Sequence, residues 1–122
     1  MEDRIARLHR AAIADDIATF RECIDESPHV LSFSLMLAAI YNSCNVCIFI
    51  RDFVDARGIT MNSDSQFAAA KHAMMHEHYD ASSIILEWMI SCAKREGRVL
   101  PSPETRMFML DYLRGGIEAA RK

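Results

Sequence analysis

The sequence predicts an all-α fold: a short solenoid of about three antiparallel helical hairpins with a C-terminal capping helix. Three observations predict it. A large apolar residue followed by alanines recurs as Leu8-His9-Arg10-Ala11-Ala12, Leu35-Met36-Leu37-Ala38-Ala39 and Phe67-Ala68-Ala69-Ala70. Each copy precedes a second amphipathic stretch (Ile17 to Ile24, Val46 to Val54, Ile84 to Ile90), which gives a repeat of about 30 residues. Glycine and proline are scarce, and Pro28, Gly58, Gly97, Pro101 and Pro103 fall between helical patterns. A chain of 122 residues, 51% of them hydrophobic and 25% charged, makes one domain, 1–122, with a real core and argues against disorder.

The first repeat spans 4–29. Its first helix, 4–13, carries Ile5, Leu8 and Ala12 on one face. Asp15-Asp16 break it, and both carboxylates are expected at the N-terminus of the second helix, where the dipole favours them. Ile17, Phe20, Cys23 and Ile24 form that helix's buried stripe, and Ser27-Pro28 end it. The second repeat, 32–60, begins at Ser32 with Phe33, Met36, Leu37 and Ile40 as its stripe, turns at Asn42-Ser43 and returns over 45–57 to Gly58. The third, 63–96, opens on the cap Asn62-Ser63-Asp64, turns near His78 to Asp80 and returns over 81–96. Trp88 and Tyr79 are expected to be buried there, and Met74-Met75 to fill core. Residues 103–120 form the cap, with Phe108, Tyr112 and Leu113 facing the stack and Gly115-Gly116 weakening its end.

Charge is uneven. Residues 1–89 carry seven Lys/Arg against thirteen Asp/Glu, whereas 90–122 carry seven against four. An acidic body opposes a general grip on nucleic acid. No apolar run approaches the ~20 residues of a membrane span. The chain opens on Glu2-Asp3 rather than a basic-then-apolar leader, so a cytoplasmic protein is expected, with Cys23, Cys44, Cys47 and Cys92 as free thiols.

Leu8-His9-x-Ala11-Ala12, followed by Phe20 and Ile24, resembles the core of an ankyrin repeat, and the later copies look like degenerate ones. The likeness covers residues 4–93. It implies short first helices packed through alanine, longer second helices as the outer layer, and a binding role. The departures are a spacing of 27 residues (Leu8 to Leu35) and then 32 (Leu35 to Phe67), and no opening Thr-Pro. Leu31 through Ser65 also lays onto the pentatricopeptide repeat, a hairpin that reads single-stranded RNA, with Phe33, Leu37 and Phe53 in place. The short first hairpin and the acidic body oppose that second likeness.

Cys44-x-x-Cys47 and His72-x-x-x-His76, with His78 nearby, carry zinc-ligand types. Aligning Ala39 with Ala70 places Cys44 opposite Met75 and Cys47 opposite His78. Cys47 also fits a buried stripe, and the reading adopted is buried thiols and surface histidines, with no metal or cofactor. His76-Glu77-His78 lacks the zincin spacing, the cysteines lie on apolar faces that disfavour thiolates, and no phosphate-cradling glycine loop exists, so no catalysis is expected. What remains is a protein-binding adaptor or inhibitor. Its expected contacts lie on the first helices and the turns: Arg7, Arg10, Asp15, Asp16, Asn42, Asn45, His76 and Tyr79.

Overall fold

A computed structural model describes residues 3–24 and 26–97 of the chain. The described residues are all-helical: α1 (Arg4–Ala14), α2 (Ile17–Cys23), α3 (Pro28–Ile40), α4 (Cys44–Arg57), α5 (Ser63–Met75) and α6 (Tyr79–Glu96). The expected cap, 103–120, lies outside them.

Connections are short, and each helix packs on the one it leads into across the turns after α1, α3 and α5. Along the other direction α3 lies between α1 and α5, and α4 between α2 and α6. Two rows of three helices result. Alanine lines the inner row, with Ala11, Ala12, Ala38, Ala39, Ala69, Ala70 and Ala73 all buried. Between the rows sit the large side chains, among them Leu8, Phe20, Leu31, Leu35, Ile50, Ile85, Leu86 and Met89.

The three turns share one construction. Asp15, Asn42 and Glu77 each adopt a left-handed backbone, with φ of 56°, 56° and 61°. In each case the next residue's N–H returns to a buried alanine carbonyl: Asp16 to Ala11, Ser43 to Ala38 and His78 to Ala73, at 2.9, 2.7 and 2.8 Å. These bonds fix the structural register. Ala11, Ala38 and Ala73 correspond, so the spacings are 27 and 35 residues. The copy that begins at Phe67 is therefore one helical turn out of register. Ala70-Lys71-His72-Ala73-Met74 takes the place of Leu35 to Ala39, and Phe67 is half-buried rather than an anchor.

Other boundaries also move. Pro28 does not end the second helix, which stops at Cys23. It opens α3 at the first helical position, where a missing N–H costs nothing and φ is preset. The second repeat thus starts at Pro28, not Ser32. The buried stripe of α3 is Leu31, Ser34, Leu35, Ala38 and Ala39, and Phe33 points outward at 53% exposure. Gly58 closes α4 and Asn62 caps α5, accepting from the Asp64 N–H, both as the sequence indicates.

Asp16 caps α2 as expected, accepting from the Thr19 N–H and hydroxyl. Asp15 does not join it. Its carboxylate reaches across to the first turn of α4, accepting from the Val46 N–H at 2.9 Å and from Asn45 Nδ2 at 3.0 Å. Ser43, at the cap position of α4, donates its hydroxyl to the Ile13 carbonyl instead. The first turn thereby supplies the cap that α4 lacks. Farther along, the Asp55 carboxylate accepts from Trp88 Nε1 at 3.1 Å and pairs with Arg95 at 3.4 Å, tying α4 to α6.

Asp15→Ala should cost about 1–2 kcal/mol, the size of a lost helix cap, and should lower the melting temperature more than Asp16→Ala does. Glu77→Gly should raise stability by about 1 kcal/mol, because glycine holds the left-handed turn without a Cβ penalty. Thermal and urea melts of the three variants check both.

Candidate functional site

Arg7, Arg10 and Asp16 line one cleft of about 320 Å³ against α1 and α2, together with Ala11, Ala14 and Thr19. Arg7 is engaged with Glu22 at 3.8 Å. The hydrogen bonds from Thr19 hold the Asp16 carboxyl below its usual range. Asp15 and Asn45 are bonded to each other in the cap of α4. Asn42 forms the left-handed tip and accepts the Cys44 S–H at 3.4 Å. His76 caps α5 and stacks on His78, with ring centroids 6.1 Å apart. Tyr79 opens α6 directly after that turn, half-buried against the core.

The thiols are poorly placed for chemistry. Cys23, Cys47 and Cys92 are buried and Cys44 is half-buried. Burial pushes the Cys47 thiol up to about 12 and also raises Cys44, with the charges of Asp80 and Asp15 adding to the second shift. Burial disfavours the thiolate at both positions. The structural register also separates the zinc-type residues from the positions that the alignment of Ala39 with Ala70 gave them. Cys44 corresponds to Tyr79 and Cys47 to Ser82, not to Met75 and His78. Among the described residues no three His, Cys, Asp or Glu side chains converge on a common point, and His72, His76 and His78 share no site with the cysteines.

A different surface stands out. α3 contains no Asp, Glu, Lys or Arg, and its neighbours α1, α4 and α5 cover only part of it. A helix that is apolar all round is normally enclosed. Here Phe33 is 53% exposed and Tyr41, at the end of the helix, 54%. On the neighbouring helices Ile13 and Met75, which correspond to Ile40 in the turn register, are exposed at 38% and 65%. Phe33 and Ile40 lie seven residues apart on one side of α3, as Ala68 and Met75 do on α5. Between α3 and α5 runs a groove of about 530 Å³ lined by His29, Ser32, Phe33, Met36, Asp64, Ser65 and Ala68. On the other flank the Phe33 ring meets His9 edge-on, with centroids 4.7 Å apart. Partial burial lowers the His9 pKa, with the Asp3 charge opposing the shift, and its Nε2 has no partner.

None of these exposed apolar residues was among the expected contacts. The lack of charge over residues 28–40 is visible in the sequence, but it does not mark which side of the helix is left uncovered.

No protein-family model matches this chain, and neither a curated protein nor a solved structure matches it. No helix of the described residues is long and apolar enough to cross a membrane.

Alkylation by iodoacetamide at neutral pH, followed by mass spectrometry, should label Cys44 slowly and leave Cys23, Cys47 and Cys92 unmodified until denaturant is added. Labelling of Cys47 at the Cys44 rate in the native protein would contradict its burial. The His9 imidazole, followed by NMR, should titrate below the ordinary 6.5. The sign follows: protonation favours the unfolded chain, so stability contributed by neutral His9 is full above that pH and declines as pH falls through the lowered value.

Proposed function

We propose that this chain is a non-catalytic protein-interaction module, an adaptor or inhibitor of a larger protein acting in the cytoplasm. The proposed architecture is a short solenoid of three stacked helical hairpins, related to degenerate ankyrin repeats. The two rows of helices, the shared turn construction and the alanine-lined inner row support that architecture.

One observation carries the functional reading. The central helix α3 is free of charge, yet leaves Phe33 and, at its end, Tyr41 more than half exposed, while Ile13 and Met75, which correspond to Ile40, are exposed on the neighbouring helices. Exposed large apolar residues scattered singly mean little, whereas a set gathered on one face marks an interaction surface. Aromatic side chains there supply the anchors that dominate binding energy. The burial of Cys23, Cys47 and Cys92, which keeps them from a substrate, supports recognition over catalysis.

The test uses Phe33→Ser, Tyr41→Ser and Met75→Ser, singly and combined, against Arg51→Ala and Asp52→Ala on α4. Tyr41→Ser and Met75→Ser should keep the parental stability to within about 0.5 kcal/mol, because more than half of each residue is in water, whereas Phe33→Ser should cost about 1 kcal/mol through its lost contact with His9. All three should lose partners in affinity capture read by quantitative mass spectrometry after nuclease treatment. The α4 pair should retain them. Loss of partners only in the α4 pair would move the surface to the second row.

A further inference from the structure

We infer that a second copy of this chain covers the exposed flank of α3 and α5, in a two-fold dimer whose axis crosses these helices near Phe33. This inference rests on the interaction-surface reading above and names an occupant of that surface.

The stripe of α5 that borders the groove carries opposite charges on its two halves. Asp64, Ala68, Lys71 and Met75 follow one another at helical spacing, and all four are exposed or half-buried. Asp64 and Ala68 line the groove, and Lys71 stands one turn farther along. Neither Asp64 nor Lys71 makes an ion pair among the described residues. Within one copy they cannot meet, because seven residues of helix hold them two turns, about 10 Å, apart. Laying the stripe antiparallel against its own copy brings each Asp64 to the Lys71 of the other chain. Two reciprocal pairs form, as an isologous interface requires.

Those pairs fix the level of the axis. The midpoint between Asp64 and Lys71 falls between Phe67 and Ala68. The turn register, in which Ala38 corresponds to Ala73, carries that level onto α3 between Ser32 and Phe33. At a two-fold axis each residue meets its own copy, so a charge there would face its like. α3 carries no charge over its 13 residues, and the side chain it presents at this level is Phe33, 53% exposed. The α5 wall of the groove at the same level is built of Ser65 and Ala68, small side chains that leave room for the ring of the other copy. The arginines of α1 lie elsewhere: Arg7 and Arg10 line the cleft against α2, and Arg4 donates to the Ile24 carbonyl. The neutral helix at the axis and the reversible charge pattern beside it are both properties that a self-complementary face needs.

Sedimentation equilibrium of the full chain at up to about 100 μM, with a thermal melt of every variant, tests this directly. The parent should weigh twice 13.9 kDa. Asp64→Lys and Lys71→Glu each set like charges against one another and should raise the dissociation constant at least about tenfold. The double variant restores opposite pairs and should return to within about threefold of the parent, although it keeps the unfavourable lysine at the start of α5. Phe33→Ser should weaken the dimer at least about tenfold by removing the aromatic anchor. A monomeric parent overturns the second copy, while leaving the interaction surface to be judged by its own capture experiment. A dimer that Phe33→Ser leaves intact, or that the double variant weakens as much as the single ones, overturns the two-fold arrangement.

Discussion

The arrangement depends on how closely α1, α3 and α5 approach one another, and alanine sets that distance. Seven alanines of the inner row are at most 3% exposed, and side chains this short permit close approach of the helices that bury them. Such contacts bury little apolar area each, and cohesion must come from elsewhere. It comes from the large side chains held between the rows, from Leu8 and Phe20 at one end to Leu86 and Met89 at the other. It also comes from polar ties placed where successive pairs join. Asp15 caps the helix that begins 29 residues later, and Asp55 holds both Trp88 and Arg95. Each tie links one pair to the next, so the stack is held by contacts between neighbours.

The same close packing creates the exposed face. With α1 and α5 drawn tightly to its sides and α4 behind, α3 has one flank left, and that flank is apolar. An apolar flank facing water raises the free energy of the isolated chain, and covering it is the largest gain that any partner can make there. Acids concentrate at the turns and on the second row.

Much of the fold is legible in the sequence because its local signals are strong. Asn62 and Gly58 mark helix ends through mechanisms confined to a few residues, and both act in the structure as that chemistry dictates. The stripe of α3 is not legible, because a helix apolar on every side has no preferred face, and only its neighbours decide that Leu31 and Leu35 turn inward while Phe33 turns out. The third repeat slips by a turn because Ala68, Ala69, Ala70 and Ala73 offer two registers, and the choice is made at the turn by the His78 bond to Ala73. Pro28 resembles a terminator because proline both ends and begins helices; the extended backbone at Ile24 and at Ser27 selects the second role. Asp15 lies nearest in sequence to the start of α2, yet the structure gives it to α4, a choice that sequence proximity cannot reveal. Candidate contacts chosen for polarity are largely groups already occupied in capping and pairing.

A photo-crosslinking amino acid placed at position 33, and in a parallel variant at position 52 of α4, tests the central claim most directly, because it captures whatever binds there. Irradiation in cells followed by denaturing gels and mass spectrometry reads the adducts. The account predicts discrete adducts from position 33 and none from position 52. Adducts from position 52 alone would contradict it, placing the working surface on the second row and reducing the apolar flank of α3 to an exposed patch without a partner.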